Sequence, residues 1–205
     1  MRSSRSSWKN AGGRSALTDS DPEQNLARLN YLLEKIASKE PAPASGSACA
    51  AVVAAAAALV EKSARLSKKQ WEGAAGTLER AHALRVESFG LIKEDAQAYL
   101  AFVDAVRSQK EVDKAHARTV DVPLRMVRAA AEVAELAVQV ANRGNPNLRA
   151  DAVVGATLAA AAAESGLMLI EVNLGDAQGD ARFALARKLA RKASGLALSL
   201  RPRVS

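Results

Sequence analysis

Thirteen consecutive residues, Ala48–Val60, are apolar, and most of them are alanine. The segment around Ala156–Ala163 has the same character. Alanine has the highest helix propensity, and its small side chain lets neighbouring helices approach closely. Such segments cannot fill a core with bulk, so they belong in the middle of a bundle. No part of the chain alternates with the two-residue period of a strand. Aromatic residues make up only 3% of the sequence, while apolar residues make up 49%. The core must therefore come from Ala, Leu and Val. The reading is all-α: a bundle of about six long helices, with two Ala-rich ones at its centre.

The punctuation of the chain divides it further. Its 205 residues fit one domain of ordinary size. Residues 1–20 are rich in Ser, Arg and Gly, lack the apolar stretch of a secretory signal, and read as a disordered basic tail. Residues 21–205 read as a single helical domain. Asp21 and Pro22 suit a helix start, and Leu26, Leu29, Leu33 and Ile36 recur at helical spacing. Pro41 and Pro43 stop that helix, and Gly46-Ser47 opens a second one reaching about Leu66. Ser67 is read as the cap of a third helix over about Lys68–Val106, with Gly73, Gly76 and Gly90 at close crossings. Arg107–Val120 is charged and expected to be exposed. Asp121 and Pro123 are read as the start of the next helix, which Gly144 ends. Asn145 with Pro146 begins another, reaching about Asn173. A basic amphipathic helix over about Asp180–Leu200 follows, with Phe183, Leu189, Ala193 and Leu196 on its apolar side.

Charge and cysteine usage exclude several functions. The net charge is +7, but residues 181–205 hold seven basic and no acidic side chains, so the rest of the chain is neutral. The excess belongs to one terminal helix and tail. Salt-sensitive binding of nucleic acid through residues 181–203 is the reading it would support, but the neutral body argues against nucleic acid as a partner. A single cysteine, Cys49, excludes an intrachain disulfide framework and fits a reducing cytoplasm. With only His82 and His116 as histidines, no structural zinc site is expected. The longest apolar run is shorter than the roughly 20 residues of a membrane span, and no span is expected.

Helices built from alanine carry little chemistry of their own, so it must sit at their ends, where backbone N–H groups are free and the dipole is positive. Pro41–Ser47 brings free amides and the Ser45 and Ser47 hydroxyls to one such end, for anion binding or for plain capping. Gly144-Asn145-Pro146-Asn147, followed by Asp151, is a second. Asp95 lies within a long helix beside Ile92, Ala96 and Tyr99. It is either a desolvated carboxylate with a raised pKa, fit for acid–base work, or part of a solvated face with Lys93, Glu94 and Gln97. His82 reads as a surface residue and Cys49 as a small core residue.

Together these segments form an ordered series: the proline and small-residue loop, Lys68-Lys69-Gln70-Trp71, the EDAQAY stretch, VPLRMVRAAAEVAELA, GNPNLRADA and VNL. The series resembles the cyclodeaminase/cyclohydrolase family over about residues 25–200. The resemblance implies an all-α homodimer that binds tetrahydrofolate derivatives without metal or cofactor. It implies hydrolysis of 5,10-methenyltetrahydrofolate to 10-formyltetrahydrofolate, or closure of formiminotetrahydrofolate with loss of ammonia. Asp95 and Asp151 match the family's acidic positions and are the implied catalytic residues. Pro43, Ser45, Gly46, Ser47, Lys68, Lys69, Asn145 and Asn147 are the implied substrate-binding residues, on opposite sides of one cleft. The chain departs from the family pattern in places. Ala44 and Ser45 stand where glycines are usual, Ala150 replaces Ser, and Glu164, Leu169 and Glu171 fall where Arg and Asn are common. These departures give the alternative of a non-catalytic folate-binding or helical interaction protein with the same fold.

Overall fold

The computed structural model of the chain describes residues 22–175 and 179–201; the expected N-terminal tail, the Asp21 cap and Arg203 lie outside them. Among the described residues there are six α-helices and no strand: α1 Pro22–Ile36, α2 Ser45–Arg65, α3 Ala74–Ser108, α4 Val112–Arg143, α5 Arg149–Leu174 and α6 Ala181–Ser199. A 3₁₀ turn, Pro146–Leu148, leads into α5. The chain divides into two compact units, with the boundary between Glu34 and Lys35, inside α1. In α1 the stripe Leu26, Leu29 and Leu33 is exposed.

The second unit is an up-and-down bundle of α2 to α6. Cross-helix contacts fix the directions. Ser47 meets Asp95 while Glu61 meets Arg85, so α2 and α3 are antiparallel. Cys49 meets Ala162 while Lys62 meets Asp151, so α2 and α5 are antiparallel too. Helix α4 packs against α3, α5 and α2, and α6 lies against α4 and α5.

Both Ala-rich helices are central, as their composition requires. Val53, Ala56, Ala57 and Val60 of α2, and Ala156, Ala159 and Ala163 of α5, are fully shielded from solvent. Each buried methyl contributes only about 0.8 kcal/mol, so the bundle depends on many close contacts. The tight crossings lie on α5. A β-carbon at Gly166 would come within 2.7 Å of Val127 Cγ2, and one at Gly155 within 3.2 Å of Val60 Cγ2. Gly76 and Gly90, expected at crossings, face open space, and Gly73 abuts the Trp71 ring instead. By length and composition alone, Ser45–Arg65 and Pro146–Leu174 are apolar enough to cross a membrane, although no uninterrupted run is that long. In the fold 61% and 44% of their apolar windows are buried, which makes the first a core helix and leaves the second with an exposed face.

Two helix boundaries differ from the sequence reading. Helix α3 starts at Ala74, not Lys68, and Ser67 does not cap it. The Ser67 hydroxyl donates to the Ser63 carbonyl and accepts the Asn145 amide N–H at 2.8 Å, tying the end of α2 to the approach of α5. Trp71 packs in that turn beneath the Arg143 guanidinium.

The charged segment 107–120 contains only a short reversal, made by Gln109 and Glu111 in the left-handed region. Helix α4 then runs from Val112 straight through Pro123, so neither Asp121 nor Pro123 starts a helix. A proline inside a helix removes the N–H that would bond the carbonyl four residues earlier, here that of Thr119. The Asn173 side-chain amide of α5 donates to that carbonyl at 2.6 Å. The break that proline imposes is thus repaired from a neighbouring helix.

Asn173→Ala should therefore cost about 1–3 kcal/mol in urea unfolding, the penalty of an unsatisfied buried group. The cost should shrink in a Pro123→Ala background, where residue 123 regains its N–H. Equal costs in both backgrounds would contradict this account.

Candidate active site

The first amides of a helix have no partner within it. At the start of α2 the acceptor comes from α3. The Asp95 carboxylate accepts the Ser47 backbone N–H, and its Oδ2 lies 3.1 Å from Ser47 Oγ. Gly46 makes room for this contact, because a β-carbon there would fall on the Asp95 carboxylate. Burial pushes the Asp95 pKa above the ordinary carboxylate value, against the opposing effect of the two Ser47 bonds. Of the two sequence readings of Asp95, the desolvated one holds. The solvated carboxylate is its neighbour Glu94, paired with Arg125.

Asp95 lines a cavity of about 280 Å³, near the lower end of small-molecule sites. One wall is the loop and first turn Pro41, Ala42, Ala44, Ser45 and Gly46. Ala98 and Tyr99 extend the α3 wall, α4 contributes Thr119 and Pro123, and α5 contributes Leu169, Val172 and Asn173. Asn173 is held from two sides. Its side chain bonds the Thr119 carbonyl, and its own carbonyl lies 2.7 Å from His116 Nε2. The sequence reading missed Thr119 and Asn173 as site residues. The signal available was Pro123 itself, since a proline inside a helix needs a donor from elsewhere.

The expected site residues fall into two groups. Ser45, Gly46 and Asp95 share the cavity. Pro43 lies in the same loop, behind the lining, and its peptide bond to Ala42 is cis. Ser47 is fully buried, with Oγ 2.9 Å from the Ile92 carbonyl, so its hydroxyl faces protein rather than the cavity. The other five lie at the opposite end of the bundle. Asp151 pairs with Lys62 at 2.7 Å, the Asn145 side chain accepts the Asn147 amide, and Lys68 and Lys69 are exposed in the turn after α2. Ser47 and Lys62 are fifteen positions apart on α2, or about 22 Å at helical rise. The expected single cleft between the two helix starts does not form within one chain, because α5 runs antiparallel to α2 and begins beside its end.

Of the departures from the family pattern, Ala44, Ser45 and Leu169 line the cavity, while Ala150, Glu164 and Glu171 do not. Glu164 accepts the Ser194 hydroxyl on the α6 side, and Glu171 is exposed. Ala44 and Ser45 are accommodated in the loop without positive φ. The glycine that is kept, Gly46, is the one whose β-carbon would meet Asp95. Behind the site, burial pushes the Cys49 thiol up to about 12, with the Asp95 charge adding to it, and its Sγ bonds the Ala162 carbonyl. That thiol stays protonated at neutral pH. Among the described residues no three His, Cys, Asp or Glu side chains converge as metal ligands would.

A family model described as formiminotransferase-cyclodeaminase matches residues 28–193, most of the chain and every helix that lines the cavity. The chain belongs to that family. A Methylorubrum extorquens protein named methenyltetrahydrofolate cyclohydrolase is 33% identical over 162 residues, covering 71% of this chain and 78% of that protein. The rat formimidoyltransferase-cyclodeaminase is 25% identical over 181 residues, covering 79% of this chain and 34% of that protein. This chain thus spans about a third of the length of that relative. The crystal structure of formiminotetrahydrofolate cyclodeaminase from Thermotoga maritima superposes with a TM-score of 0.78, covering 84% of this chain and 92% of that one. At 22% identity that likeness concerns the fold.

For this family member the raised Asp95 pKa has a consequence for stability. An acid whose pKa is higher in the folded than in the unfolded state favours folding below its unfolded pKa, and that contribution is lost as pH rises through the folded pKa. Ionised Asp95 is therefore a cost to the fold at neutral pH. Asp95→Asn, which mimics the neutral acid, should melt at a higher temperature than the parent at pH 7. The gain should vanish below about pH 4, the unfolded value for Asp. A variant less stable at every pH would contradict the assignment.

Proposed function

We propose that this chain is a folate one-carbon enzyme that hydrolyses 5,10-methenyltetrahydrofolate to 10-formyltetrahydrofolate. The observation that carries the reading is Asp95, a half-buried carboxylate held by α2 at the wall of a cavity. The substrate's reacting carbon is part of a delocalised cation bridging N5 and N10. A carboxylate beside it stabilises that charge and accepts a proton from the attacking water as the C–O bond forms. The same group then returns a proton to N5 as the C–N5 bond breaks and the formyl group remains on N10. One proton is released per turnover. A carboxyl group with a raised pKa suits both the accepting and the donating role. Tyr99 and Asn173 offer polar atoms to orient the ligand, and Leu169 and Val172 an apolar surface for its rings.

Hydrolysis is preferred to the related cyclodeaminase reaction because the 33% identical relative carries the cyclohydrolase name. The reading also includes a homodimer in a reducing cytoplasm. A groove of about 500 Å³ between α2 and α5, lined by Val52, Met168, Leu169 and Val172, supports self-association, with Met168 and Val172 mostly exposed. Sedimentation at micromolar concentration showing only a 21.5 kDa species would remove the dimer from the reading. The single buried Cys49 supports the compartment.

The reaction is tested by the loss of methenyltetrahydrofolate absorbance above the uncatalysed rate. The parent should accelerate it, and Asp95→Asn should lower kcat by at least about 100-fold, the usual scale of general acid–base catalysis. No acceleration at high protein concentration would overturn the reading. Ammonia release from formiminotetrahydrofolate without methenyl hydrolysis would move the assignment to the cyclodeaminase reaction.

A further inference from the structure

The Ser47 hydroxyl has one hydrogen and two acceptors in reach: the Ile92 carbonyl at 2.9 Å and Asp95 Oδ2 at 3.1 Å. It is fully buried, so water cannot supply what the hydroxyl withholds. One hydrogen does not serve both acceptors fully, and the charge on Asp95 decides between them. When Asp95 is ionised, the hydroxyl donates to the carboxylate, the stronger acceptor. When Asp95 is neutral, its own O–H donates to Ser47 Oγ, and the hydroxyl turns to the Ile92 carbonyl.

We propose that Ser47 is a positioning residue whose hydroxyl reverses direction with the charge of Asp95, holding the carboxyl group in one place in both protonation states and setting the pH at which it titrates. This rests on the reading of Asp95 as the acid–base group and assigns Ser47 a role other than touching substrate. Gly46 and the Ser47 amide fix the site of the carboxyl group, and the hydroxyl adapts to its proton. The proton can then come and go through rotation of a single O–H, without moving a heavy atom.

The surroundings leave Ser47 as the dominant partner. From α2 the titratable neighbour is Cys49, which is protonated at neutral pH. From α3 it is Tyr99, one turn along, while Glu94 is paired with Arg125. The facing residues of α4, Thr119 and Pro123, and of α5, Leu169, Val172 and Asn173, carry no charge, and neither do Pro41, Ala42 and Ala44 of the loop.

The test is a carbon-13 NMR titration of the full-length chain without folate. Ile92-Lys93 is the only Ile-Lys pair in the sequence, so labelling Ile carbonyl carbon with Lys amide nitrogen isolates the Ile92 carbonyl. In the parent its shift should move with the same midpoint as the Asp95 carboxyl carbon. In Ser47→Ala that movement should be lost, and the Asp95 midpoint should rise by about one pH unit, the scale of one hydrogen bond to a charged group. Ser47→Thr, which keeps the hydroxyl, should stay within about half a unit of the parent. An unchanged or lower Asp95 midpoint in Ser47→Ala, or an Ile92 carbonyl that stays flat through the parent titration, would overturn the proposal. The parent carbonyl measurement needs no variant to fold. The expected titration without turnover would overturn the enzymatic reading alone, and turnover with a flat Ile92 carbonyl would overturn this one alone.

Discussion

Helices made largely of alanine hold together only where their backbones come close. That constraint shapes the second unit of the chain. Val60 and Ala56 press on Gly155, and Val127 presses on Gly166, with no space for another carbon at the tighter of the two crossings. Close approach along the length of α2 and α5 fixes their register. It sets the start of one helix beside the end of the other and separates the two small-residue segments by most of the length of α2. The cavity opens where the close contacts stop, at the rim where the start of α2 meets the end of α5.

The polar part of that rim follows one physical rule twice. A backbone group left without a partner in one helix is satisfied by a side chain from another. The Ser47 amide at the start of α2 finds Asp95 of α3, and the Thr119 carbonyl released by Pro123 finds Asn173 of α5. Each repair places a polar side chain on the cavity wall and holds it there. At Asp95 a structural role thus coincides with the proposed chemical one, and an acid that costs the fold something at neutral pH is retained at the site where acid–base work is proposed.

Much of this was legible in the sequence. Alanine content and the absence of a two-residue period gave the all-helical class, the central pair and the order of elements. The local signals at Pro41–Ser47 and Gly144 marked real helix boundaries. Pro123 misled because its usual meaning, a first-turn residue, is a local rule, while its actual setting depends on a donor fifty residues away. Lys68–Trp71 misled for the same reason, since the Ser67 hydroxyl serves a partner across the bundle. The resemblance pointed to Asp95 and the loop, but it could not say which expected residues share a cavity in one chain. That depends on the antiparallel course of α2 and α5, which residue spacing does not encode.

The central claim is that the cavity at the start of α2 is where the folate reacts. A crystal structure with a stable reduced folate, such as 5-formyltetrahydrofolate, tests it most directly. The account predicts the pterin and its one-carbon group within hydrogen-bond reach of Asp95, beside Tyr99 and Asn173. A pterin seated at the Asn145–Asp151 turn, with nothing bound beside Asp95, would contradict it.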